Sequence, residues 1–174
     1  MNKNKNQKRK SELSQKNALS TLKFQVEWGL KKLNKDKNIL QQQLRNELIF
    51  IEQLDLSQDL LAIQNFTVRV QQHVHTCPLP GQGDFTKSLV AIALEIVPVE
   101  SISSDATFLS WPELVQQKML SLYYPQETRN VVVTWAAQNG YQISTYLGIP
   151  IVKFKQIYLL LKKAQETKTQ NSKC

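Results

Sequence analysis

A glycine and a proline two positions apart, Gly148 and Pro150, constrain this chain more than any other feature, because they punctuate an otherwise regular apolar pattern. Around them stand Ile143, Leu147, Ile149, Phe154 and Ile157. Glycine takes a left-handed backbone conformation cheaply, so the chain is expected to turn at Gly148. Proline has a fixed φ and no N–H to lose, which suits the first turn of a helix. The spacing therefore predicts a first helix over about 142–147 that buries Ile143 and Leu147. Ile149 would plug the angle, and a second helix would bury Phe154, Ile157 and Leu161.

With those residues in place, the stretch 142–161 resembles the helix-turn-helix DNA-binding domains. The likeness spans about twenty residues, or about fifty with the helices before it, and names a structural class rather than a subfamily. It implies a second helix lying in the major groove, with its early exposed positions Pro150, Ile151, Val152, Lys155 and Gln156 at the base edges. Lys153, Lys155, Lys162 and Lys163 would then neutralise phosphates, while Gln156 would pair with adenine. Ile151 and Val152 are apolar at places where these families commonly carry polar side chains, and an aliphatic contact to a thymine methyl is the compatible role. The alternative is a helical hairpin whose Ile151, Val152 and 159–161 run packs into a core or a protein partner.

Charge points the same way. The chain carries 22 Lys and Arg against 14 Asp and Glu, net +8. Residues 1–38 hold eleven basic and three acidic side chains, residues 39–127 four and ten, and residues 128–174 seven and one. Two basic ends flank an acidic middle. Clustered surface cations attract a polyanion and release its condensed counterions, so nucleic acid is the expected partner, most readily double-stranded DNA. Lys8, Arg9 and Lys10 would clamp phosphates from an N-terminal arm. Only Arg9, Arg45, Arg69 and Arg129 are guanidinium groups, and none falls in the second helix, so backbone contact should outweigh base readout.

At 174 residues and 41% hydrophobic, the chain is long enough for one or two small cores, and no apolar run approaches a membrane span. The start lacks the uninterrupted apolar segment of a secretory signal, and only Cys77 and Cys174 are present, so a disulfide framework is not expected. The expected compartment is the cytoplasm or nucleoid.

Periodicity divides the rest. Residues 1–10 are too polar to order themselves and form a flexible basic arm. Over 11–33, Leu19, Leu22, Val26, Leu30 and Leu33 make one apolar stripe, and Leu40, Leu44, Leu48 and Ile51 make another over about 39–54. These two helices form a hairpin within 11–65 that either zips into a homodimer or closes on the remaining chain. From Phe66 to Val74 apolar and polar residues alternate, the period of a half-buried strand, and 89–99 reads as its antiparallel partner or as a buried helix. Together they make a two-stranded segment over 66–100. Ser110, Pro112 and Glu113 form a capping box expected to start a helix running to about 123, followed by a helix over about 126–138 closed by Asn139 and Gly140. A helix-turn-helix-like domain over 106–165 and a polar tail over 166–174 complete the plan. The expected fold is thus mainly α with a small β-hairpin: an N-terminal helical hairpin, two central antiparallel strands, and a C-terminal domain of three or four helices.

His73, His75 and Cys77 would project from one strand face as candidate zinc ligands, but a fourth ligand is wanting and an ordinary strand face is the simpler expectation. Without a Gly-rich phosphate loop or a nucleophile-base set, neither an enzyme, a metal nor a cofactor is expected. The sequence predicts a nucleic-acid-binding protein, either a small DNA-binding regulatory or mobile-element-associated protein or a non-enzymatic adaptor of a nucleoprotein assembly.

Overall fold

The computed structural model of the chain describes residues 2–32, 37–98 and 117–165. Its first half is helical. Helix α1 (Asn2–Lys31) and helix α2 (Lys37–Gln53) occupy the two expected helical stretches, and α1 begins inside the segment expected to be a flexible arm. The stripe of α1 is buried through Leu22 and Val26, that of α2 through Leu44 and Ile51. Each of these side chains contributes about 1.5–3 kcal/mol of burial.

Helix α3 (Ser57–Val74) overturns the first expected strand. The alternation from Phe66 onward coexists with a second spacing, Leu60, Ile63, Phe66 and Val70, and all four are fully buried while Val68 stays 37% exposed. Packing on one helical face wins over the period of two. The second expected strand is also absent. Helix α4 (Leu89–Ala93) takes its place, capped by Ser88, whose side chain accepts from the Ala91 N–H. Its five residues are buried throughout, which explains why the run has no polar period to read.

Helices α1 and α4 touch at Gly29. A Cβ there would sit 2.0 Å from the Ala93 carbonyl oxygen, so the backbones meet at a distance only glycine permits. Helix α1 also packs on α3, and α2 packs on α4, placing α4 against both of the first two helices.

The second half is a mixed sheet. Strand β1 (Met119–Tyr124) stands where the capping-box helix was expected to end; the capping box itself lies outside the described residues. Leu120, Leu122 and Tyr124 alternate into the core, which is strand chemistry. Helix α5 (Gln126–Gln138) follows as expected, and Gly140 closes it at φ +82°. Then come β2 (Ile143–Tyr146), β3 (Ile149–Lys153) and β4 (Tyr158–Lys163), in the spatial order β1-β4-β3-β2. β4 runs parallel to β1 and antiparallel to β3, and β3 pairs with β2 from Ile143↔Val152 to Tyr146↔Ile149.

No helix-turn-helix domain forms from this segment. Gly148 does turn the chain, but in a two-residue hairpin loop where Leu147 (φ 48°) and Gly148 (φ 77°) both adopt the left-handed conformation. Leu147, expected to be buried in a first helix, is 85% exposed at the hairpin tip. A β-hairpin uses the same glycine and the same apolar residues as the helical corner would. What separates the two is the neighbour: β4 offers Leu159 and Leu160 opposite Val152 and Ile151, and a strand there satisfies its backbone while burying both faces.

Helix α5 joins the halves. It packs on α3 and on the sheet, and Phe66 of α3 meets Trp135 (6.1 Å), Tyr141 (5.0 Å, edge-on) and Phe154 (6.2 Å, edge-on) between ring centroids. The Arg69 guanidinium lies 5.4 Å from the Trp135 ring centre and 5.7 Å from that of Tyr141, and donates to the Tyr141 hydroxyl at 3.2 Å.

Candidate nucleic-acid interface

The residues expected to read bases are mostly committed to the fold. Pro150 is half-buried in β3, while Ile151 and Val152 are 6% and 0% exposed. Neither can meet a groove or a partner surface. Ile157, next in the expected reading helix, is buried in the main core.

Lys155 and Gln156 sit on the turn between β3 and β4, and that turn is latched to the start of α3. The Asp59 carboxylate, 1% exposed, accepts the Gln156 N–H at 2.8 Å and the Ile157 N–H at 3.2 Å through Oδ1. The Gln156 side chain donates to the Asp55 carbonyl at 2.8 Å, and Lys155 Nζ donates to Gln58 Oε1 at 2.9 Å. Helix α1 joins the latch, since Gln15 donates to the Asp55 carboxylate and Gln58 donates to Ser14 Oγ. One of the two Gln156 amide N–H donors is thus anchored on Asp55, which holds the side chain against α3 rather than leaving it to swing onto an adenine edge.

The remaining C-terminal lysines divide between sheet faces. Lys153 and Lys162 share a face with Tyr158 and Tyr123, and their ammonium groups lie 5.9 Å and 5.5 Å from those ring centres. Ser121, Leu160 and Ile151 run across the middle of that face and are all buried, so no open platform lies between the lysines. Lys163 is exposed at the end of β4, on the alternate side of the strand.

Lys8, Arg9 and Lys10 behave otherwise. All three are exposed on α1 and make no ion pair among the described residues. The helix as a whole carries eight basic and two acidic side chains, with no acidic residue in its first turn. Its dipole puts partial positive charge at the same end, so like charges accumulate where an anion would relieve them. Lys16 is exposed and unpaired in the same sense, whereas Lys23 and Lys32 reach Glu52 at 3.0 Å and Glu95 at 2.8 Å.

Sequence reasoning passed over two aromatic side chains on this helix. Phe24 and Trp28 are 67% and 59% exposed, one turn apart, outside the buried stripe of Leu22 and Val26. Their offset from that stripe was the available signal. It also passed over the buried carboxylate of Glu47, which accepts from Ser88 Oγ at 2.6 Å and from the Leu89 and Val90 N–H groups at 3.0 Å each. Burial holds Glu47 above the usual carboxylate range, and the hydrogen bonds from Ser88, Val90, Leu89 and Gln43 oppose that rise only in part. Tyr124 is likewise pushed up by burial, and its hydroxyl has no hydrogen-bond partner among the described residues.

The metal reading loses its geometry. His73 lies on α3 and stacks on Trp135 at 5.8 Å, His75 is the left-handed cap that ends the helix, and Cys77 is disulfide-bonded, against the expectation from cysteine count. No cluster of three metal-ligating side chains occurs among the described residues. Nor is any helix among them long and apolar enough to cross a membrane. No protein-family model, curated protein or solved structure matches the chain.

Proposed function

We propose that the chain is a non-enzymatic nucleic-acid-binding protein whose contact is the cationic first half of α1 rather than any part of the sheet. One observation carries this: Lys8, Arg9 and Lys10 project from a strongly basic helix and have no acidic partner among the described residues, while the lysines of the second half are tied down or stand apart. A phosphate backbone supplies the negative charge that the positive end of this helix lacks. Contacts of this kind position a nucleic acid without reading its sequence, so binding should be broad in sequence and steep in salt.

Fluorescence anisotropy with a labelled oligonucleotide tests the proposal. Affinity is expected to fall steeply as salt is raised, and Lys8→Glu/Arg9→Glu/Lys10→Glu should abolish retention while leaving the circular dichroism intact. For the milder Lys8→Ala/Arg9→Ala/Lys10→Ala change, which leaves binding measurable, the slope of log affinity against log salt should flatten by roughly two to three, at about 0.7–0.9 for each phosphate no longer neutralised. Binding that ignores salt, or survives the triple reversal, overturns the proposal.

A further inference from the structure

Helix α1 presents a second exposed face besides its cationic end. Successive residues turn by about 100° around the axis, so Leu13, Phe24 and Trp28 fall within about 60° of one another. They are 61%, 67% and 59% exposed. Lys10 and Lys31 fall in the same sector, one toward each end of the line, and neither has an acidic partner among the described residues. From Lys10 to Trp28 the rise is about 27 Å, the reach of several nucleotides of a single strand.

Beside the two rings lies a cleft of about 170 Å³, lined by Phe24, Gln25, Trp28, Gln64, Leu94 and Glu95 among others. The Gln25 Oε1 atom is buried and accepts no hydrogen bond among the described residues. An aromatic-walled cleft of this size suits a flat ring such as an unpaired nucleobase.

We infer that this face takes a single-stranded nucleic acid, with Phe24 and Trp28 stacking unpaired bases and Lys10 and Lys31 holding the phosphates to either side. The inference deepens the nucleic-acid reading of α1 and rests on it. A duplex keeps its bases stacked on one another and offers these rings nothing, so the aromatic pair should discriminate strand state rather than sequence. Charge argues against a second copy as the occupant. Two such helices laid face to face would bring eight basic side chains against eight, with two acidic residues on each to offset them.

The experiment compares a single strand of about twelve nucleotides with the corresponding duplex on the full chain, at one salt concentration, by anisotropy. The wild type is expected to bind the single strand more tightly than the duplex. Phe24→Ala/Trp28→Ala should weaken single-strand binding by about ten-fold or more and leave duplex binding within about two-fold. Trp28→Phe, which keeps a ring, should restore most of the loss. If the wild type binds both forms equally and the double variant changes neither, the stacking inference fails while the electrostatic reading stands. If neither form binds, both fail together. An equal loss on both forms, or self-association of the wild type that the double variant abolishes in sedimentation, also overturns the stacking role.

Discussion

The first turns of α1 and the turn between β3 and β4 are both basic stretches, and the fold treats them in opposite ways. Lys155 and Gln156 are drawn onto Gln58, Asp55 and Asp59, where an acidic and amide-rich helix start accepts one N–H from each side chain and the Gln156 backbone N–H. Lys8, Arg9 and Lys10 meet no acidic partner among the described residues. Net charge counted along a sequence does not distinguish these cases. What decides availability is whether an acceptor from a distant segment reaches the cation first, as Gln58, 97 residues away, reaches Lys155.

The contrast can be broken or sharpened by mutation, and the largest effect should come from the gripped half of α1. Gly29→Ala would gain about 1 kcal/mol of helix propensity in isolation. In the protein its methyl would strike the Ala93 carbonyl, so a net loss of about 3 kcal/mol or more is expected in urea unfolding. A neutral result would mean that α1 is not held on α4 at all.

Next in size is the latch. Asp59→Ala strips the acceptor from two N–H groups and should cost about 2–3 kcal/mol, whereas Asp59→Asn keeps a carbonyl oxygen in place and should lose less than half as much. Equal losses for the two variants would show that the carboxylate charge, rather than its acceptor geometry, holds the turn.

Glu47 gives a pH-dependent effect. Its folded value is raised, so the folded protein holds the proton more tightly than the unfolded chain does. Its contribution is greatest below the usual carboxylate range and is lost as pH rises from there through the raised value. Thermal unfolding should therefore show stability declining with pH across that window, and Glu47→Gln should flatten the decline. A variant with the wild-type slope would assign the dependence to other groups.

The smallest effect belongs to the exposed turn lysine. Lys155→Glu should change stability by no more than about 0.5 kcal/mol and oligonucleotide affinity by less than about two-fold, against the complete loss expected for the triple reversal on α1. If Lys155→Glu weakens binding as strongly as that reversal, the two basic regions are equivalent after all.

How much of this was legible in the sequence follows from how local each signal is. Helices α1, α2 and α5 have apolar spacing that repeats over several turns, and their expected positions agree with the fold to within a few residues, apart from the helical start of α1. Phe66 to Val74 satisfied two periods at once, and the packing of Phe66 on Trp135 and Tyr141 far along the chain decided for helix. The sheet was invisible for a related reason. Its strands are four to six residues long, too short for a period to separate strand from helix, and β1 finds its partner β4 across α5 and the β2–β3 hairpin. Gly148 marked a reversal correctly but could not say which kind. Of the candidate site, Lys8, Arg9 and Lys10 were readable as charge, whereas Phe24 and Trp28 became candidates only once Leu22 and Val26 had been seen to take the inside of the helix.

The position of β4 has a consequence for biosynthesis. It lies between β1 and β3 in space but follows both in the chain, so a ribosome releases β1 and β3 before the strand that joins them exists. Until Tyr158 to Lys163 emerges, the nascent protein carries two unzipped strand margins beside already competent helices, and that interval is when it most needs a chaperone or its own tempo of translation to keep it from sticking to its neighbours.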